Sequence, residues 1–356
     1  MEKRVTIKDI AEKAGVSIGT VHCALNGKPG VGDDTRARVV ETARQMGYRP
    51  NAVAASLKRG KLRIAASFPG ASDESRFYYT FVWEAIRDLI RAVGDFNIEL
   101  IEVPFYRGVN NQAYELNDLL DNTKVDGLLT TGETDARGVA AIQGFIRNGI
   151  PVILIGNDIP QSGRLCCVQP NYEIIGRTLA ELLTRQIPGE GGILLCAGDV
   201  TVPSNYLIVQ GFDAYLREHE CKHTVYRVHS SGYPVGAIER FCREIKQRED
   251  LRACCAVNAR ASVALGSAIE KCEKSGSLMA VGSDLFAENV DFLRRGVFTN
   301  LLYKKPYSQA YTAARYLSDY LLQDDRPPQD LIYTSHEIVF QSSLSMYDNG
   351  RFRLLR

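Results

Sequence analysis

From Lys61 onward the chain alternates short apolar runs with stretches of helical periodicity, and this alternation limits the fold more tightly than any other feature. Residues 62–68 form an apolar run, and residues 81–93 repeat apolar side chains at helical spacing. Strand candidates 98–103, 125–130 and 151–155 interleave with helix candidates 111–120 and 136–148. After Val168 the pattern restarts, with helices over 174–186, 204–218, 236–248, 261–272 and 286–293 and strands over 192–196, 225–228, 253–257 and 278–281. Apolar runs that alternate with amphipathic helices produce parallel sheets covered on both faces. The units are too many for one open sheet, so the pattern predicts an α/β body of two doubly wound parallel-sheet lobes. With 45% of its 356 residues hydrophobic, the chain can supply a large core.

The first sixty residues read as helix without strand. Thr6 is a good N-cap, and Ile7, Ile10, Ala11 and Ala14 recur at helical spacing until Gly15. Ser17 caps a second helix with Val21, Ala24 and Leu25 on its apolar side. Two short helices joined by a glycine-containing turn make a helix-turn-helix, whose second helix fits the DNA major groove. A helical pair packing on a larger body would show the same pattern. A third helix spans 35–46, with Val39, Val40, Ala43 and Met46 on one side, and ends at Gly47. Pro50 blocks its continuation, while Asn51 caps a short alanine-rich helix ending near Leu57, too short to be stable without a partner.

Thr6 to Gly27, Thr35-Arg36 and Tyr48-Arg49-Pro50-Asn51 through Leu57 resemble, in order, the lactose/galactose-repressor (LacI/GalR) family of transcription regulators. The resemblance implies an all-α helix-turn-helix DNA-binding headpiece over 1–50, a hinge helix and linker over 51–61, and an effector-binding and dimerisation domain over 62–356. It implies a periplasmic-binding-protein-like pair of lobes linked by three crossovers, expected near 163–169, 298–304 and 327–332. Lobe 1 then takes about 62–165 and 303–328, and lobe 2 about 166–300 and 330–345. Helix 307–321 would return to the first lobe, and 332–339 to the second.

Net charge is only +1, but residues 1–61 hold twelve Lys/Arg against six Asp/Glu, leaving 31 against 36 in the remainder. A basic excess beside a helix-turn-helix suits phosphate neutralisation, although a solvated basic surface gives the same count. No apolar stretch has signal-peptide or membrane-span length, so a cytoplasmic protein with no membrane partner is expected. The nine cysteines lack the spacing of metal knuckles, and Cys166-Cys167 and Cys254-Cys255 lie adjacent in strand-like runs, which suggests core packing. No cofactor, metal or catalytic residue is assigned.

Thr6, Ser17, Thr20, Asn26, Thr35 and Tyr48 stand where the family holds phosphates, a task suited to short hydroxyl and amide groups at helix starts. Base reading falls to the start of the second helix: Ile18, Gly19, His22 and Cys23. Relatives often carry arginine where Cys23 sits; without it, a lactose-type guanine contact is lost. Ile18 can touch a thymine methyl instead, and His22 can bond a base or phosphate or simply be exposed. By resemblance, Asn51 starts a hinge helix that pairs with its dimer mate in the minor groove, where Leu57 wedges between base pairs. The other reading packs Leu57 on the effector domain.

Ligands of open α/β lobes bind outside the carboxyl ends of strands. That rule selects 76–79, Asn157, Asn205, Asn258, Asp284 and Lys305. Tyr78 and Tyr79 match aromatics of sugar-binding relatives, and Asp284 matches an acidic position that accepts ligand hydroxyls, though each of these residues has a helix cap or similar structural role as its alternative. Two departures bear on the ligand. Ile208 replaces an arginine frequent in pyranose binders, and Lys305, before Pro306, replaces a frequent glutamine. A neutral sugar or polyol is the leading class of effector, with a sugar acid or phosphorylated sugar paired to Lys305 as the other. The reading is a ligand-controlled regulator, a repressor, acting on a palindromic double-stranded operator as a homodimer. A transport receptor has no use for residues 1–57, and an α/β enzyme would need a nucleophile elbow, phosphate loop or metal cluster that the sequence lacks. No long leucine heptad follows Phe340, as in dimeric rather than tetrameric relatives.

Overall fold

The computed structural model describes residues 5–25, 27–48, 60–72, 75–106, 111–132, 135–187, 189–229 and 236–348. The chain divides between Gly60 and Lys61 into two compact units. In the first, α1 (Ile7–Ala14) starts on a capping box: the Thr6 N–H donates to Asp9 Oδ2 at 2.7 Å, and the Asp9 N–H donates to Thr6 Oγ1 at 3.4 Å. Gly15, at φ 66°, ends it in the left-handed conformation that glycine adopts without a Cβ penalty. The helices α2 (Ile18–Leu25) and α3 (Asp33–Gln45) complete the unit. Asp33 and Asp34 begin α3 two residues earlier than the apolar spacing suggests, where negative charge favours a helix N-terminus. Ile10, Val21 and Val39 are fully buried at the centre of the three helices. Val40, expected beside Val39, is instead 47% exposed, because consecutive helical residues point about 100° apart and only one can reach the core.

The second unit contains two six-stranded sheets. The first runs in the order β11 (Leu331–Thr334), β5 (Cys166–Pro170), β4 (Val152–Ile155), β3 (Gly127–Thr130), β1 (Leu62–Ser67), β2 (Ile98–Glu102). The second runs β12 (Glu337–Phe340), β10 (Asn300–Tyr303), β9 (Met279–Ser283), β8 (Leu251–Ala256), β6 (Gly192–Gly198), β7 (Thr224–His229). Every pairing is parallel except β10 with β12. Each sheet has an apolar cluster on both faces. The first sheet is covered by α4 (Arg76–Ala92), α5 (Gln112–Asn122), α6 (Ala136–Arg147) and, late in the chain, α12 (Pro306–Gln323). The second is covered by α7 (Tyr172–Gln186), α8 (Pro203–Glu218), α9 (Ala237–Gln247), α10 (Ala259–Lys271) and α11 (Ala287–Arg294).

Two boundaries differ from the sequence reading. The run at Cys166, expected to open lobe 2, is β5 of lobe 1, with Ile153 opposite Cys166 and Leu154 opposite Cys167. The segment 332–339, expected to return whole to lobe 2, is split: β11 pairs with β5 in lobe 1, and β12 pairs with β10 in lobe 2. The crossovers therefore follow Pro170, Tyr303 and Thr334. A buried apolar run satisfies either sheet, so hydropathy alone does not say which sheet takes it. The paired cysteines have a simple geometry. Consecutive strand residues face opposite sides, so Cys166 and Cys167 enter different apolar clusters, as do Cys254 and Cys255. All nine cysteines are free thiols. Among the described residues no helix is long and apolar enough to cross a membrane.

Helices α7 and α8 touch backbone to backbone. A Cβ added at Gly176 would overlap the Ile208 carbonyl oxygen, and one at Gly211 would overlap that of Glu173. Gly211→Ala should therefore destabilise the second unit by roughly 1–3 kcal/mol or more. A guanidinium unfolding midpoint equal to wild type would show that the helices separate without cost.

Candidate functional site

The N-terminus of α2 forms an open edge of the first unit. Ser17, Ile18 and Gly19 face solvent, with Ile18 at 54% exposure, while Val21 and Ala24 on the other side fill the core. The Ser17 hydroxyl accepts from the Thr20 N–H at 3.1 Å and pairs with the Thr20 hydroxyl at 2.9 Å. The far end is fixed by α3: the Arg36 guanidinium donates to the carbonyls of Cys23 and Ala24, each at 3.1 Å, and to that of Lys28 at 2.7 Å. Side chains thus satisfy both ends of this short helix, whose positive end and exposed apolar residue face outward. Arg36 was legible as a family match, but nothing in the sequence marked it as the group that closes α2.

The other expected DNA-facing residues divide into three sets. Thr6 uses its hydroxyl locally, donating to Asp9 Oδ2 at 2.7 Å. Thr20, His22, Thr35 and Tyr48 are half-buried, and Tyr48 packs against the three-helix core. Asn26 lies outside the described residues, as do Asn51 and Leu57 with the short helix expected between them.

In the second unit, the carboxyl ends of both sheets open on one cavity of about 580 Å³. Tyr78, Tyr79, Asn157, Asn205, Asn258 and Asp284 all line it. The Tyr78 and Tyr79 rings meet edge to face, 5.2 Å between centroids. The Tyr78 hydroxyl donates to Gln309 Oε1 at 2.8 Å, and Gln309 Nε2 donates to the Lys304 carbonyl at 2.6 Å. Burial holds the Tyr78 and Tyr172 hydroxyls well above the usual phenol range, so both are neutral donors. The amides form a chain: Asn258 Nδ2 donates to Asn205 Oδ1 at 3.5 Å, and Asn205 Nδ2 donates to the Asp199 carbonyl at 2.9 Å. Asn258 also caps α10, its Oδ1 accepting from the Ala261 N–H at 2.9 Å, so the capping and cavity-lining readings hold together.

Among the described residues, several contacts join the lobes around the cavity, one of them from the Tyr172 hydroxyl to the Gly156 carbonyl at 2.6 Å. The Ser204 N–H donates to Asn157 Oδ1 at 3.3 Å, Arg76 Nη2 meets Glu288 Oε1 at 2.5 Å, and the Phe77 and Phe286 rings stack at 4.5 Å. The ion pair is partly exposed and adds little stability on its own, whereas the aromatic stack excludes water.

Lys305 is not in this cavity. Its ammonium pairs with Glu337 and donates to Ser335 Oγ at 3.2 Å, at the third crossover. The lining cation is its neighbour Lys304, 6% exposed, whose ammonium meets Asp284 Oδ2 at 2.8 Å. Asp284 thus has a structural partner as well as a place on the wall, and the first turn of α11 follows Phe286 rather than Asp284. The sequence reading also missed Tyr172, which lines the wall and donates to the Gly156 carbonyl at 2.6 Å. Assigning β5 to lobe 1 would have placed Tyr172 just after a strand end. Ile208 lines the cavity as expected from its sequence position. Among the described residues, no cluster of three or more His, Cys, Asp or Glu side chains could hold a metal ion.

Residues 37–325 match the periplasmic binding protein domain family, and residues 6–51 match the lacI family of bacterial regulatory proteins. The catabolite control protein A of Priestia megaterium is 30% identical over 217 residues, 60% of this chain and 61% of its own length. The HTH-type transcriptional regulator AglR of Rhizobium meliloti is 53% identical over 57 residues, 16% of each chain. The chain therefore spans about three fifths of the length of the first relative. A glucose-galactose binding protein from Geobacillus stearothermophilus superposes with a TM-score of 0.71 at 20% identity, over 80% of this chain and 99% of that one, a likeness of fold alone.

Among the described residues, a Cβ built on Gly19 meets only Ser17 Oγ, at an ordinary 3.6 Å, so none of them requires glycine there. Gly19→Ala should stabilise the headpiece by up to about 1 kcal/mol. If Gly19 admits a close DNA approach, the same change should weaken duplex binding. A melt and an anisotropy titration on one preparation check both; stabilisation with unchanged DNA affinity would place Gly19 away from the duplex.

Proposed function

The chain belongs to the periplasmic-binding-protein-domain family and carries a lacI-family DNA-binding headpiece, and from that premise we propose that it is a ligand-responsive transcription regulator, a repressor that binds a palindromic operator as a homodimer. The observation that carries the proposal is the pairing of two sites in one polypeptide. One is an exposed helix start held at both ends by side chains; the other is a cavity walled by tyrosine hydroxyls and asparagine amides.

The effector is a neutral sugar or polyol. Several hydroxyls on a small skeleton need both donors and acceptors, which the Tyr, Asn and Asp side chains supply, and the flat faces of Tyr78 and Tyr79 suit the apolar faces of a sugar ring. The acid-bearing alternative loses its support, since Lys305 meets Glu337 instead of the cavity. A ligand touching Asn157 from one lobe and Asn205 or Asp284 from the other shifts the balance between open and closed lobes only by its difference in affinity for the two. Such a shift is the means by which small-molecule binding alters the headpieces' hold on DNA.

On the DNA side, the exposed Ile18 contacts a thymine methyl, while Leu57 wedges the minor groove and bends the duplex. A wedge contributes only when the DNA is bent. Leu57→Ala should therefore weaken binding to a palindrome selected by the full chain by roughly tenfold or more, with little loss on random duplex. Equal losses on the two duplexes, measured by anisotropy at fixed salt, would refute the wedge; the absence of any selected palindrome would refute the regulator itself.

A further inference from the structure

The cavity floor contains an ion pair whose hydrogen bonding is closed on one side and open on the other. Asp284 follows β9 and Lys304 follows β10, and the Asp284 N–H donates to the Leu302 carbonyl at 2.8 Å, holding the two strand ends together. Asp284 is 1% exposed and Lys304 6%. The ammonium has three protons and three acceptors: Asp284 Oδ2 at 2.8 Å, Ser283 Oγ at 2.5 Å and the Val257 carbonyl at 3.1 Å. No proton of Lys304 is left to offer a ligand. The carboxylate is less fully occupied. Its Oδ2 takes the ammonium and the Ser283 hydroxyl at 3.2 Å, while Oδ1 accepts one long bond, from the Lys304 N–H at 3.3 Å. Oδ1 therefore retains capacity for a further donor.

The described lining as a whole does not favour an anion. It carries Asp135, Asp199 and Asp284 against Arg260 and Lys304, and Arg260 is also engaged by other groups. A hydroxyl reaching Asp284 gives up its proton to a waiting acceptor. A carboxylate or phosphate in the same place has no proton to give and faces a like charge with no free cation among the described lining residues, which in a desolvated cleft is strongly unfavourable.

We propose that the Lys304–Asp284 pair is the specificity determinant of this cavity, admitting an uncharged polyhydroxylated ligand and rejecting the carboxylate- or phosphate-bearing form of the same skeleton. The proposal rests on reading the cavity as the effector site. Lys304 acts as a positioning residue: its ammonium fixes the carboxylate through Oδ2 while leaving Oδ1 turned to accept. Discrimination comes from an introduced repulsion as much as from attraction.

The test uses the full chain and a panel of neutral aldohexoses, aldopentoses and hexitols, each set beside its uronate, aldonate or phosphate, with affinities read by calorimetry. Wild type should bind at least one neutral compound at least about tenfold more tightly than its acidic partner. Asp284→Asn strips the counter-charge from Lys304, so the acidic partner should gain and the neutral compound lose, changing the ratio by at least about tenfold. The double variant Asp284→Asn with Lys304→Gln carries no buried charge; it keeps the test alive if the single variant does not fold, and its preference for the neutral compound should fall without reversing. Tight binding of an acidic partner by wild type overturns the proposal while leaving the sugar-effector reading intact. Wild-type discrimination retained in a variant with native circular dichroism also overturns it. Binding of no compound from either series contradicts the effector reading itself, and this proposal with it.

Discussion

Parallel strands end on the same side of a sheet, and that polarity assembles the cavity. Pro69 follows β1, Thr131 follows β3, Asn157 lies two residues beyond β4, and all three line it from the first lobe. Asp199, Asn258, Asp284 and Lys304 follow β6, β8, β9 and β10 and line it from the second. No loop has to travel far to reach the ligand space. The sheets are in turn held by apolar side chains buried on both faces, so a change in their packing is felt at seven strand ends together.

The chain departs from comfortable geometry where it turns around this cavity. Asp284 has φ 72° and Lys305 has φ 54°, both left-handed and both non-glycine. Aspartate tolerates that region better than lysine, for which it costs roughly 1–2 kcal/mol. The neighbouring contacts offset it: the Asp284 N–H is tied to Leu302, and Lys305 is tied to Glu337 and Ser335. The twist at Lys305 also separates the two adjacent lysines, sending one into the cleft floor and the other to the third crossover. Gly198, at φ 65°, is constrained differently: a Cβ there would strike the Asn258 amide, so the close approach of the asparagine chain requires glycine.

Much of this was legible in the sequence because periodicity records which faces are buried. The alternation after Lys61 pointed to paired parallel lobes, and the rule about strand ends selected Tyr78, Tyr79, Asn157, Asn205, Asn258 and Asp284, which the structure brings to one cavity. Periodicity could not say which sheet takes a run buried on both faces, and so β5 and β11 went to the wrong lobe. Nor could it distinguish Lys304 from Lys305, since their opposite directions depend on a backbone angle that the Lys-Lys-Pro sequence does not announce. Gln309 was invisible for another reason. It supports Tyr78 from 231 residues away, and only the fold brings them together.

The central claim is that ligand in the cavity and DNA at the headpiece are linked, and linkage is reciprocal. The most direct measurement titrates an end-labelled palindromic duplex with the full chain, with and without a saturating cavity ligand, and titrates that ligand into free and duplex-bound protein. The account predicts that each partner changes the other's dissociation constant by the same factor, about fivefold or more. An operator affinity that the bound ligand leaves unchanged would contradict it.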